Sequence, residues 1–272
     1  LITKALAPED TFLPSQREED ALLNGSHAQA PALRNAVVEA VSSIMPGGLK
    51  GATSMLSAVL SGRDCIDHVP LSRWDQHDLH KQLDTSIASR CAYGGFVQDA
   101  DKFDNVCFSI SAAEARAMDP QQRLLLEVGY EVFKSNSLDR SSLLGSLTGI
   151  YLGIWNPDFI SILAKSDLGS SVYAATGSTV SVASGRLSFC LGLHGPCASF
   201  DTACSSALVA CHAGMRGVQM LECDRSLIAG VNLILAPANS ITCAIAGMTS
   251  QKGRCHTFDD RADGYVRAEA CA

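Results

Sequence analysis

Four things the sequence lacks narrow its reading before any motif is considered. None of its eleven cysteines forms a Cys-x-x-Cys pair, and their odd number and scattered spacing fit neither a zinc module nor a closed disulfide framework. They read instead as free thiols of a reducing, intracellular compartment. No cluster of basic residues appears against a formal net charge of −7, which excludes a nucleic-acid surface while leaving room for a local basic patch facing an acidic partner. Residues 1–34 hold no apolar run of signal-peptide or membrane-spanning length, and no membrane span is expected. No internal repeat is visible. The first residue is leucine, which suggests a start inside a longer product.

What is present is a core-building composition. With 272 residues, 47% of them hydrophobic, the chain can remove about three quarters of its unfolded surface from water. Residues 1–34, rich in proline and carrying Arg17-Glu-Glu-Asp20, read as a linker or leader, with a marginal helical signal at Ala21-Leu22-Leu23. From there the pattern sharpens. Val37 to Ile44 predicts a strand, followed by a turn at Met45-Pro-Gly-Gly48. Ala52 to Leu60 predicts a helix with Met55, Leu56, Val59 and Leu60 inward, closed by Gly62. Residues 67–95 read as an irregular loop and a polar stretch, and His68, His77 and His80 within it do not read as a metal site. Asp119-Pro120 supplies an N-cap and a first-turn proline for a helix reaching Asn136, with Leu124, Leu125, Val128, Val132 and Phe133 inward. Thr148 to Ile154 predicts a buried strand, Asn156-Pro157 a helix start, and Ser178 to Leu191 a small-residue helix able to pack beside the next one. Strands alternating with helices place the chain in the α/β class.

The most informative stretch is Ser199-Phe-Asp-Thr-Ala-Cys204-Ser-Ser-Ala-Leu208. Pro196 to Phe200 predicts a short strand and Ser226 to Leu235 another; between them lies a helix without a charged residue from Asp201 to Arg216. Ala203, Ala207, Ala210, Gly214 and Gly217 put small side chains on one helical face, where another backbone can approach closely. Cys204, Leu208, Cys211, Met215 and Val218 form a second, apolar stripe, so the helix reads as buried nearly all round. A thiol at its first turn faces unpaired N–H groups and the positive end of a dipole worth roughly half a charge. That favours thiolate, lowering a free-cysteine pKa of about 8.5, whereas apolar burial opposes it. The residues alone leave a nucleophile and an inert core thiol both open. Cys190, Cys197, Cys204 and Cys211 fall seven apart, but Gly195-Pro196 interrupts any helix through them, so they make no ligand ladder. No metal or cofactor is expected.

Asp201-Thr-Ala-Cys-Ser-Ser-Ala-Leu208 resembles the nucleophile motif of β-ketoacyl synthases, the condensing domains of polyketide and fatty-acid synthases. Four further segments agree in order: Ala117-Met-Asp-Pro-Gln-Gln-Arg-Leu-Leu-Leu-Glu127, Gly185 to Pro196, Gly247 to Asp259, and Ala262-Asp-Gly-Tyr-Val-Arg267. The resemblance starts near Val37 and covers roughly the first half to three fifths of such a domain. It therefore implies residues 35–272 as the N-terminal portion of the domain, in a thiolase-like layered fold with buried helices between mixed sheets, incomplete at the C-terminus. It departs from the family at Ser43-Ile-Met-Pro-Gly-Gly48 and at the alanines of Arg267-Ala-Glu-Ala-Cys-Ala272.

The resemblance implies an acyltransferase of 3-oxoacyl-acyl-carrier-protein synthase type. Cys204 would hold the acyl group, its backbone N–H would donate to the oxyanion, and Ser205 and Ser206 would serve packing and helix start. The partners would be an acyl carrier protein bearing phosphopantetheine-bound acyl and malonyl groups, and a second copy in a homodimeric full-length parent. The family's two decarboxylating histidines and helping lysine have no counterpart here, and His194, His212 and His256 do not replace them. Residues 1–272 alone are thus expected not to condense. A thiolase, and a non-condensing ketosynthase-like scaffold or chain-length partner, are the alternatives; the synthase-like segments oppose the first and the retained Cys204 the second. No Cys–His pair that would suit a cysteine hydrolase follows from spacing.

Overall fold

The computed structural model describes residues 1–5, 35–155 and 158–272. Its strands are β1 (Ile2–Ala5), β2 (Ala36–Ala40), β3 (Ile44–Met45), β4 (Leu49–Lys50), β5 (Asp67–His68), β6 (Tyr93–Gly94), β7 (Thr148–Ile154), β8 (Cys197–Phe200), β9 (Arg225–Asn232) and β10 (Ala270–Cys271). The helices are α1 (Gly51–Leu60), α2 (Gln76–Gln82), α3 (Thr85–Arg90), α4 (Ala112–Ala117), α5 (Pro120–Ser135), α6 (Arg140–Leu143), α7 (Asp158–Ala164), α8 (Ala174–Ser178), α9 (Val180–Leu191), α10 (Ser206–Gln219) and α11 (Ala238–Ile245).

The centre is the pair β7 and β9. Neither strand's middle carries a charge, and all seven residues of β7 are buried, as befits parallel strands covered on both faces. β7 runs parallel to β8 on one side and to β9 on the other. The far edge of β9 is shared by two antiparallel strands: β1 pairs at Lys4↔Arg225 and Thr3↔Ser226, and β10 pairs at Cys271↔Val231 and Ala270↔Asn232. β2 extends the sheet beyond β1, while β3 and β4 extend it beyond β10. β5 and β6 form a separate two-stranded sheet.

Because side chains alternate along a strand, β7 and β9 feed two different layers. Ile150, Leu152, Ile154, Leu227, Ala229 and Val231 meet α5 and α9 on one face. Tyr151 and Ile228 meet α10 on the other. α5 matches its sequence pattern: Asp119 accepts the Gln121 N–H at 2.8 Å, Pro120 opens the helix, and Leu124, Leu125, Val128, Val132 and Phe133 are all buried. Each such side chain contributes roughly 1.5–3 kcal/mol on leaving water.

Several expectations need correction. Met55, Leu56, Val59 and Leu60 of α1 are exposed, Leu60 to 79%, and only Ala58 is buried; periodicity defines a face but not which side of it meets the core. α9 does not neighbour α10. It packs on β7, β8 and α5, with Ser199 donating to Val180 O at 3.0 Å, so the sheet separates the two helices. Residues 2–5 of the expected leader are a strand of the main sheet, too short to register as a periodic signal. Residues 6–34, including the marginal helix at 21–23, lie outside the described residues, as do Asn156 and Pro157; the helix expected there is α7. The polar stretch at 76–95 holds α2, α3 and β6. No helix is long and apolar enough to cross a membrane among the described residues.

One buried carboxyl group ties these layers together, and a second caps α5 from within. Glu269, 0% exposed, accepts Arg73 Nε at 3.0 Å and Nη2 at 2.9 Å, the Val97 N–H at 2.8 Å and the Ile234 N–H at 2.9 Å. One side chain thus joins the loop before α2, the segment after β6, the end of β9 and β10. Removing its counter-ion leaves a charge without compensation, so Arg73→Ala is expected to cost roughly 3–5 kcal/mol in urea unfolding; a loss below about 1 kcal/mol, the range of an exposed pair, would show that the clamp is dispensable.

Burial pushes the Asp119 carboxyl up to about 6, against the opposing hydrogen bonds from Gln121 and the charge of Arg123. The folded chain then holds a proton that the unfolded chain has released, so this group lowers stability as pH rises from about 4 to about 6 and adds no slope above that. Asp119→Asn removes this proton linkage while retaining a capping oxygen. Its stability relative to the parent is expected to rise by about 2–3 kcal/mol across that interval and level off, read from urea unfolding at several pH values. A constant difference from about pH 4 to 7 would rule out the raised pKa.

Candidate functional site

The turn between β8 and α10 is built by its own short polar side chains. Asp201 Oδ1 accepts the Ala203 N–H at 3.2 Å, and Ser206 Oγ accepts the Thr202 N–H at 2.8 Å while donating to Ala203 O at 2.7 Å. Ser205 Oγ donates to Thr202 O at 2.8 Å. Ser205 and Ser206 are therefore occupied in shaping the turn. Ala203 has a φ of +55°, a left-handed conformation that a residue with a Cβ adopts only when its surroundings impose it. The strained turn leads through a 3-10 segment at Ala203–Ser205 into α10 and leaves Cys204 exposed at the helix entrance.

The sheet fixes where this turn sits. A Cβ placed on Gly153 of β7 would come within 2.5 Å of Ala207 N, and one on Gly230 of β9 within 2.9 Å of Ala207 Cβ. The first turn of α10 therefore rests directly on the backbone of the two central strands. Further along, a Cβ on Gly214 would meet Ile228 Cγ1 at 2.6 Å, and one on Gly217 would collide with Tyr151 Oη. The predicted small-residue face thus packs on the sheet at Ala207, Ala210, Gly214 and Gly217, whereas Ala203 lies exposed in the turn before the helix. The second stripe differs from expectation: Val218 is buried, but Leu208 is 73% exposed and Cys204 and Met215 are exposed. Apolar composition marks a surface suited to burial without supplying the layer that covers it.

Cys204 is the only predicted site residue, and the contact between Tyr265 and Cys243 is not legible in the sequence. Tyr265 Oη donates to Cys243 Sγ at 3.5 Å, and burial, followed by this contact, pushes the tyrosine pKa up to about 12. The strain at Ala203 has no sequence signal, since alanine gives no hint of a positive φ. Burial pushes the Cys271 thiol up to about 12 and Cys91 up to about 11, which keeps both as inert thiols at neutral pH. His194 and His212 are exposed, and the His194 N–H ends the turn after α9 by donating to Ser146 O at 2.9 Å.

The glycine contacts yield a paired test. Gly153→Ala is expected to destabilise the chain by roughly 1–3 kcal/mol and to change the rate at which Cys204 is alkylated, because the added methyl displaces the helix start. Gly185→Ala in α9, where nothing lies within 4 Å of the added Cβ, is expected to be neutral or to gain up to about 1 kcal/mol. Equal effects in urea unfolding would refute the close-approach account.

Residues 34–272 match the family model described as the β-ketoacyl synthase N-terminal domain. The chain is 37% identical over 229 residues to a mycocerosic acid synthase-like polyketide synthase of Mycolicibacterium smegmatis, covering 84% of this chain and 11% of that one. It is 38% identical over 229 residues to a phthioceranic/hydroxyphthioceranic acid synthase of Mycobacterium bovis, covering 84% and 11% respectively. Among solved structures, the ketosynthase from module 6 of the Bacillus subtilis bacillaene synthase superposes with a TM-score of 0.76 at 31% identity, over 86% of this chain and 38% of that one. An oxazolomycin ketosynthase domain from Streptomyces albus gives 0.77 at 28% identity, over 85% and 41%. The chain thus spans a minor part of each relative's length, and the fold they share is the thiolase-like α/β fold. With its family model matched from residue 34 to residue 272, the chain belongs to the β-ketoacyl synthase family as an N-terminal portion of the ketosynthase domain.

Proposed function

We propose that this chain provides the acyl-accepting part of a ketosynthase-type condensing site in polyketide or fatty-acid biosynthesis, with Cys204 as the nucleophile. The observation that carries the reading is the exposed thiol on a strained turn at the start of α10, locked onto β7 and β9. Helix-start N–H groups and the dipole favour negative charge there, first on sulfur and then on the oxygen of a tetrahedral intermediate. In the transfer step, Cys204 Sγ attacks the thioester carbonyl of an acyl group carried on phosphopantetheine. A new S–C bond forms, the carrier's S–C bond breaks, and the carrier thiol leaves with the proton that Cys204 gave up.

In the full-length parent, a malonyl-type extender on the carrier would lose CO2, and the resulting enolate would attack the Cys204 thioester. That second half-reaction needs donors for the developing enolate, and the histidines and lysine that the resemblance assigns to it have no counterpart in residues 1–272. The partners of this reading are an acyl carrier protein and, in the parent, a second copy of the chain; the eleven free thiols support a reducing compartment.

Incubation with an acyl carrier protein bearing an acyl thioester should add one acyl group to the chain, placed on Cys204 by peptide mass mapping and lost in Cys204→Ala. Loading that persists in the variant would overturn the nucleophile assignment. Addition of a malonyl carrier should give no sustained β-ketoacyl product; its formation would show that residues 1–272 also contain the decarboxylating groups.

A further inference from the structure

We propose that the groove between α5 and the 104–108 loop docks an arginine-bearing segment of a partner protein. The groove lies on the α5 side of the main sheet, whereas Cys204 belongs to the α10 side. The inference is therefore independent of the acyl-transfer reading.

The groove has a volume of about 510 Å³, within the ~300–1,000 Å³ of binding pockets. α5 supplies one wall through Glu127, Tyr130, Glu131 and Lys134, which share a helical face at three- and four-residue spacing. Asp104, Cys107 and Phe108 supply the other wall. Phe108 is buried and meets Tyr130 edge-on, with ring centroids 6.1 Å apart. Arg140 of α6 fastens the two walls together. Its guanidinium lies 5.4 Å from the Phe108 centroid and 5.3 Å from that of Tyr130, and its Nη2 donates to Cys107 O.

The three carboxylates of the groove each spend one oxygen on the chain itself. Asp104 Oδ1 accepts the Cys107 N–H at 3.0 Å, Glu127 Oε1 accepts the Asp104 N–H at 3.0 Å, and Glu131 Oε2 accepts the Ser42 hydroxyl at 3.1 Å. Among the described residues no ion pair reaches any of the three, so Asp104 Oδ2, Glu127 Oε2 and Glu131 Oε1 remain to accept. The chain's own cations are taken up elsewhere: Arg140 lies over both rings, and Lys134 lies over Tyr130 at 5.7 Å. Aromatic surface thus stands beside uncompensated negative charge. A guanidinium answers both features, because it stacks on aromatic faces and donates bidentately to carboxylates. The contact made by Arg140 shows that this pair of rings accepts one. Glu127 and Glu131 are one helical turn apart, ~6 Å, a spacing that suits two basic side chains on one peptide. The formal net charge of −7 favours the approach of such a segment.

The probe is a fluorescein-labelled peptide with two arginines four residues apart among alanine and leucine, titrated with the full chain and followed by anisotropy. It should bind saturably, and a peptide with glutamine in place of both arginines should not; equal binding of the two would overturn the proposal. Glu127→Gln combined with Glu131→Gln keeps the acceptors that hold Asp104 and Ser42, and should weaken binding about 10-fold. Glu222→Gln combined with Asp224→Asn removes the same charge from exposed positions after α10, and should change binding less than about 2-fold. Equal losses in the two double variants would reduce the effect to net charge and overturn the proposal, as would unchanged binding in the groove variant. Displacement of the peptide by an equal concentration of agmatine would assign the groove to a small organic cation and overturn the partner-protein reading. Hydrogen exchange of the parent chain needs no variant: it should slow in residues 104–108 when the arginine peptide is added, and unchanged exchange there would overturn the proposal equally.

Discussion

The close approach of the α10 entrance to the backbone of β7 and β9 is the constraint on which the rest of this structure depends. A helix that rests on two strands through Ala207, Gly153 and Gly230 has no side chains to compress and no freedom to slide. The turn before it is then forced to complete the reversal from β8 in very few residues, and the positive φ of Ala203 follows from that shortage of chain. Strain at Ala203 and exposure at Cys204 are thus two results of one packing decision. The sheet supplies the rigidity, and the small residues supply the contact distance.

That constraint also explains why the sheet must be held so firmly on its other face. A small displacement of β7 or β9 would be passed to the turn without damping. α5 and α9 oppose such movement through the Ile150, Leu152, Leu227 and Val231 layer. Glu269 does so through four donors drawn from three separate segments. A buried carboxylate is an expensive anchor, yet with both oxygens bonded it fixes direction as well as distance, which apolar contacts alone do not.

How far this can be read from sequence depends on whether the information is local. The uncharged run at Thr148–Ile154 and the Asp119-Pro120 start of α5 are legible because burial on both faces and helix capping are written in adjacent residues. The small-residue face of α10 is legible for the same reason. Its apolar stripe at Leu208 and Met215, and that of α1 at Leu56 and Leu60, read as buried and are exposed, since a pattern shows which side chains share a face but not whether a partner layer stands opposite. The separation of α9 from α10 by the sheet is hidden likewise, because two small-residue helices look alike whichever face they occupy.

The candidate site divides along the same line. Cys204 stands out because a strand, a turn and a helix start are contiguous, and because the surrounding motif resembles a known nucleophile. Tyr265 and Cys243 do not, because they are 22 residues apart and reach each other only when α11 folds back toward the segment that Tyr265 joins at Thr249. The thiol can be assigned from the order of residues along the chain. What surrounds it is decided by tertiary folding, and in this molecule that folding leaves Cys204 exposed on a strained turn that rests on β7 and β9.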